Sequence, residues 1–242
     1  TQLRFDELPK IRELMAQKVA RKQQGITGSG HGLAMMAAAS HYSPAALLAE
    51  RQQGLQSISH LKKLEATLHD PQVLQQLAQQ LAEIHQLLLS APRHFLTVAE
   101  PARRDELDQC LEKHWSPLPA MLTFTPFALE PVRESVKQVW STNTQVNFCA
   151  KAFATVAVEH PDAAALTVLG EFLRNGFLHR AIREQGGAYG SGASQDSSSA
   201  CFRFFSYRDP RIEDTLADFD GSITWLLQSE HGASRLEEAV LG

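Results

Sequence analysis

Apolar residues recur every three or four positions at Leu8, Ile11, Leu14, Met15 and Val19. That spacing predicts a helix over residues 6–24 with one buried face, and Gly25 reads as its stop. The glycine-rich segment 25–32 then leads into residues 33–39, whose small side chains suit a second, closely packed helix. Ser43-Pro44 and Asp70-Pro71 each join a capping side chain to a proline at the first helical position, so a helix is predicted to start at each. The first should run to about Leu68. The second carries the stripe Val73, Leu74, Leu77, Leu81, Ile84, Leu87 and Leu88 and should end before Pro92. Residues 94–99 read as a strand and residues 105–114 as one more helix. Residues 1–115 are therefore expected to be helix-rich with at least one strand.

The pattern changes at residues 116–145, where Pro117, Pro119, Pro126 and Pro131 interrupt a stretch without strong periodicity. This reads as a linker. Residues 146–158 form a long apolar extended segment fit for the inside of a sheet, and His160-Pro-Asp162 closes it. Leu166, Leu169, Phe172, Leu173 and Phe177 then fall at helical spacing over residues 163–184, and Gly186-Gly187 ends that helix. Residues 188–194 and 200–207 read as a hairpin around a polar turn. A final helix follows Arg208-Asp-Pro210 through Leu216, Phe219, Ile223 and Leu226. Strand, helix, two strands and helix make an α+β layer packed on one sheet. No internal repeat is visible.

Composition narrows the function classes. The 23 basic residues are diluted among 27 acidic ones, for a net charge of −4, so no basic stripe points to nucleic acid. The longest apolar runs fall short of the roughly 20 residues needed to span a bilayer, which gives no reason to expect a membrane. Cys110, Cys149 and Cys201 are odd in number and far apart, which favours a reducing compartment over a disulfide framework. The first residue is Thr, not Met; a piece of a longer protein is the expectation.

The stretch Ile182-Arg-Glu-Gln-Gly-Gly-Ala-Tyr-Gly190 carries the strongest candidate chemistry. Arg183 ends a helix, where a cation is worth roughly 0.3–1 kcal/mol against the helix dipole. Tyr189 starts a strand. The bend at Gly186, Gly187 and Ala188 puts the two on one rim, where guanidinium and phenol could both donate hydrogen bonds to a single carbonyl oxygen. Other candidates are weaker. Cys110 and His114 lie one helical turn apart but lack a third metal ligand. The segment 25–32 lacks the lysine of a phosphate-binding loop and follows no apolar strand. Ser191 and Ser194 sit in no nucleophile elbow. Phe202, Phe204 and Phe205 read as sheet packing, and Arg203, Arg208 and Arg211 as solvated surface, with contact to an acidic peptide terminus the alternative.

Residues 182–190, with Phe204-Phe-Ser-Tyr-Arg-Asp-Pro210, resemble the C-terminal half of the pitrilysin and insulinase superfamily of zinc metallopeptidases, in its presequence-protease, falcilysin-like branch. Ser29-Gly-His-Gly-Leu-Ala and Ala38-Ala-Ser-His-Tyr-Ser-Pro resemble the segment before the last domain of that branch. The resemblance implies two-layer α/β domains, with helices on one face of a mostly antiparallel sheet, both partial here. Residues 1–115 would be the latter part of the penultimate, peptidase-associated domain, and residues 146–242 the first part of the C-terminal domain. It further implies a clamshell whose N-terminal half holds zinc through an inverted His-x-x-Glu-His motif, while Arg183 and Tyr189 act as catalytic residues and Gly186, Gly187 and Ala188 bind substrate.

The ten histidines, at positions 31, 41, 60, 69, 85, 94, 114, 160, 179 and 231, include no such motif. The chain is thus expected to hold no metal and to be inactive alone. Its implied partners are the zinc-bearing half and oligopeptide substrates. An inert structural or peptide-binding subunit of the same superfamily is the alternative. The implied location is the cytoplasm in a bacterium or an organellar matrix in a eukaryote.

Overall fold

The computed structural model describes residues 3–116, 118, 125 and 135–241. They fall into two compact units, divided between Lys18 and Val19 and between Lys62 and Lys63. The first unit takes the described residues up to Lys18 and those from Lys63 to 125; the second takes 19–62 and those from 135 on. The linker expected over 116–145 lies largely outside the described residues.

Helix α1 spans Leu8–Ala39 and passes through Gly25 without stopping. The expected stop is wrong because a single glycine costs a helix only about 1 kcal/mol relative to alanine. The break comes later, at Ser29, whose φ −132° and ψ 23° are not helical. Beside it Gly30 leaves room for the ring of Phe148, which a β-carbon there would strike. The segment 25–32 is accordingly helix and not a phosphate loop.

Helices α2 (Pro44–Gln53) and α4 (Pro71–Ser90) begin where their caps predict. Ser43 Oγ accepts from the Ala46 N–H at 3.1 Å, and Asp70 Oδ1 from the Gln72 N–H at 2.8 Å, each cap being worth about 1 kcal/mol. The single helix expected from Pro44 to Leu68 is instead two. Gly54 ends α2, and α3 spans Leu55–Thr67. The buried Glu50 carboxylate folds back over Gly54 and accepts from the Gln56 N–H at 3.0 Å, capping α3.

In the first unit Leu68, Leu74 and Leu77 form a small core with Leu8, Ile11, Met15, Leu64, Val73 and Leu81 packed around it. Only the first half of the α4 stripe is used, for Ile84, Leu87 and Leu88 are exposed. The strand expected over 94–99 is absent: these residues carry no regular secondary structure and join no ladder. The described elements of this unit are helical, so no neighbouring strand can take up the backbone donors and acceptors of residues 94–99. Helix α5, Arg104–Trp115, matches its prediction.

The second unit holds an antiparallel sheet of β1 (Ala150–Ala154), β2 (Gly190–Asp196) and β3 (Cys201–Tyr207), in the order β1-β3-β2. The expected hairpin is β2–β3, paired from Gly190↔Tyr207 to Asp196↔Cys201. The extended segment expected over 146–158 contributes only β1, because its ladder to β3 covers five residue pairs. Helix α6 (Ala163–Leu173) continues as a π-helix over Arg174–Gln185. Helix α7 covers Glu213–Gln228, and α8, Ala233–Leu241, was not foreseen. Period-two alternation on β3 sends Phe202 and Phe204 into the core with Leu173, Leu178, Ile182 and Phe219. Phe204 stacks on Phe219 at 5.5 Å between ring centroids. Phe205 and Tyr207, on the opposite face, meet His31 of α1 at 5.4 and 4.8 Å.

Candidate functional site

Arg183 and Tyr189 flank a helix-to-strand bend whose hydrogen bonds are one residue wider than an ordinary helix C-terminus provides. The Gly187 N–H donates to the Arg183 carbonyl at 3.1 Å, and the Ala188 N–H to the Ile182 carbonyl at 3.1 Å. In a Schellman ending the same nested pair spans three and five residues; here it spans four and six, in keeping with the wider winding of a π-helix. Side chains show the same widening. His179 Nδ1 lies 3.4 Å from Glu184 Oε1, five residues on, a spacing that an α-helix rotates apart.

The bend depends on two glycines for different reasons. Gly187 has φ +81°, the left-handed region that a β-carbon disfavours. Gly186 is confined by packing, since a β-carbon there would strike the Arg211 guanidinium and lie 2.6 Å from the Ile182 carbonyl oxygen. Ala188, by contrast, is buried in the core, so its side chain faces inward and only its backbone belongs to the rim.

Both chemical groups face solvent. Arg183 is exposed, with a guanidinium nitrogen 3.5 Å from His179 Nε2. Tyr189 is 67% exposed and meets the ring of Tyr207 edge-on at 5.7 Å. The structure brings the two onto one bend, and no hydrogen bond or cation–π contact among the described residues joins them. The Tyr189 N–H is shared between the carbonyls of Tyr207 at 3.0 Å and Arg208 at 3.4 Å. An apolar hollow lined by Val168, Leu169, Phe172, Leu226 and Leu236 lies under α8 and contains neither residue.

Behind the rim sits a buried polar brace. Asp209 is fully buried; its carboxylate accepts from the Arg211 N–H at 2.9 Å and from Thr215 Oγ1 at 2.8 Å. Its backbone pairs with Asn147 in both directions, at 2.7 and 2.9 Å. Arg211 in turn reaches Asp218 at 2.9 Å and the Ala181 carbonyl at 3.4 Å. Arg203 pairs with Asp196 at 3.0 Å. These two arginines are half-buried structural cations, not the solvated surface expected; Arg208 alone of the three is exposed. Burial pushes the Asp196 carboxyl up, but hydrogen bonds from Ser198 and Ser199 and the Arg203 charge outweigh it and hold it below its ordinary range.

Burial pushes the thiols of Cys149 and Cys201 up, which keeps them protonated and unreactive. Among the described residues no three His, Cys, Asp or Glu side chains converge on a point where a metal could sit. No described helix is long and apolar enough to cross a membrane.

Sequence reasoning passed over Tyr207 and His31 as site neighbours. Alternation along β3 was signal enough to put Tyr207 on the face away from the core. The approach of His31, 176 positions earlier in the chain, left no local trace.

Comparison with known proteins agrees along the whole chain. Residues 137–241 match the PreP C-terminal domain, and residues 1–64 match the associated domain of subfamily C of the M16 peptidases. The chain is similar to the mitochondrial presequence protease of Yarrowia lipolytica, 29% identical over 98% of this chain and 24% of that protein. Those of Danio rerio, 27% identical over 98% and 25%, and Emericella nidulans, 30% identical over 96% and 23%, are similar as well. The chain thus spans about a quarter of the length of the relatives it matches.

Proposed function

We propose, for a chain that belongs to the presequence-protease branch of the M16 peptidases as a C-terminal part of such an enzyme, that it is the substrate-clamping portion of a zinc-dependent oligopeptidase. Arg183 and Tyr189 are its working residues. Each donates a hydrogen bond to the carbonyl oxygen of the bond being cut, and both bonds strengthen as that oxygen gains negative charge. Gly186, Gly187 and Ala188 supply the backbone bend that sets the two donors and lets the substrate chain approach. The metal and the attacking water belong to the other half of the enzyme, the partner this chain closes against. Residues 1–115 are read as the latter part of the penultimate domain, 116–145 as a linker and 146–242 as the beginning of the last domain. Relatives named mitochondrial favour an organellar matrix if the host is a eukaryote.

The observation that carries this reading is the bend itself: a left-handed glycine between two solvent-facing donors, with Arg183 free of any carboxylate among the described residues. The test is reconstitution. An unfolded oligopeptide should be hydrolysed only when this chain is combined with the zinc-bearing half, and Tyr189→Phe should slow that hydrolysis by about 10²-fold. Equal hydrolysis by the zinc-bearing half alone would refute the clamp.

A further inference from the structure

We propose that Arg208 is a specificity residue, holding a carboxylate of the peptide beside the bond that Arg183 and Tyr189 grip; the proposal rests on the reading of Tyr189 above. Three independent features of the structure point to it.

The first is its backbone. Arg208 has φ +49°, a conformation that disfavours every residue with a β-carbon and that glycine or asparagine would adopt more readily. Strained residues of this kind concentrate where a side chain must be presented in one direction. The strain is held from both sides. The Arg208 carbonyl accepts from the Tyr189 N–H at 3.4 Å, and the next residue, Asp209, is buried and locked to Asn147 and Thr215.

The second is its charge. Arg174, Arg203 and Arg211 in the same unit each pair with a carboxylate, at 3.2, 3.0 and 2.9 Å. Arg208 pairs with none among the described residues. Its guanidinium instead lies over the Tyr207 ring, 5.4 Å from the centroid. Arg208 is exposed to solvent, so beside that ring it keeps N–H donors of the kind that grip a carboxylate with two parallel hydrogen bonds.

The third is position. The Tyr207 ring neighbours both the Arg208 guanidinium, 5.4 Å from its centroid, and the Tyr189 ring, at 5.7 Å, so cation and phenol share that ring as a neighbour. A peptide whose carbonyl rests on Tyr189 has its neighbouring residues within reach of Arg208. The carboxylate could come from an acidic side chain or from the peptide's own C-terminus; the test separates these.

The complete enzyme would be assayed on an oligopeptide with an acidic residue near the cleaved bond, on its amide counterpart (Asp→Asn), and on short cleavable peptides with a free or amidated C-terminus. Wild type should favour the acid form of one pair by about 10-fold in kcat/KM, as expected for a charge-assisted hydrogen bond shielded from water. Arg208→Asn should abolish that preference and, because asparagine tolerates the left-handed backbone, unfold at a temperature no lower than wild type. Arg208→Lys should keep part of the preference. Loss of discrimination on the side-chain pair assigns the acidic residue, and loss on the C-terminal pair assigns the terminus. A wild type indifferent to both pairs, or an Arg208→Asn enzyme that still discriminates while Tyr189→Phe lowers kcat, overturns the proposal and leaves the clamp reading intact. An unchanged kcat in Tyr189→Phe removes both.

Discussion

The guanidinium of Arg211 occupies the space in which Gly186 would carry a side chain. The contact ties the helix end that bears Arg183 to α7 through Asp218, at 2.9 Å. Gly186→Ala should push Arg211 off Asp218 and cost about 1–3 kcal/mol, the usual penalty for overpacking. Pairing Gly186→Ala with Arg211→Ala should recover part of that loss in denaturant unfolding, since the clash is then gone. Strictly additive losses would show that the two residues do not share the space.

Gly187 should respond differently. A β-carbon there would approach nothing closer than Pro210 Cγ, at 3.6 Å, so the penalty is conformational. Gly187→Ala is expected to cost about 1–2 kcal/mol, with no rescue by changes at Pro210, and Gly187→Val should cost more. Equilibrium unfolding measures both.

Tyr189→Phe in the complete enzyme should lower kcat by about 10²- to 10³-fold with little change in KM, as for removal of one oxyanion donor. Its exposed ring keeps the edge-on contact with Tyr207, so stability should not move. A change in KM alone would assign the hydroxyl to ground-state binding.

Thr215→Val keeps the shape at a buried position but leaves one Asp209 oxygen without its donor, now 2.8 Å from Thr215 Oγ1. The expected cost is about 1–3 kcal/mol. The brace supports the bridge between Asn147 and Asp209 that follows Arg208, so activity should fall with stability. Thermal unfolding and kcat/KM measured on one preparation test the link.

Acid should loosen the face of the sheet that carries Tyr207. Burial lowers the His31 pKa from its ordinary 6.5, so the folded state favours the neutral ring and the unfolded chain binds the extra proton. That contribution to stability is complete above about pH 6.5 and is lost as pH falls through the lowered folded value. Burial raises the Glu50 carboxyl from 4.5, and its contribution runs the other way, fading as pH rises. The difference between wild type and His31→Phe isolates the histidine: it should be flat above pH 7 and should shift towards the variant as pH falls below 6.5. A pH-independent difference would remove His31 as the cause.

The sequence by itself determined those features whose causes are local. Ser43-Pro44 and Asp70-Pro71 carry their own caps, Gly186-Gly187 its own reversal, and the polar turn after Ser194 its own hairpin, so helix starts, bend and hairpin were legible without coordinates. That Arg183 and Tyr189 flank one bend was legible too, because they lie six positions apart across it. Tertiary structure decided what depends on distant partners. Residues 94–99 have strand composition, but a strand needs another strand beside it. Gly25 has the chemistry of a stop, yet the helix runs on and breaks only at Ser29, beside the contact of Gly30 with Phe148. Arg203, Arg208 and Arg211 are chemically identical in the sequence. Packing buries the first and last against Asp196 and Asp218 and leaves Arg208 in solvent over Tyr207, because the carboxylate within reach of a guanidinium is set by the fold and not by its neighbours in the chain.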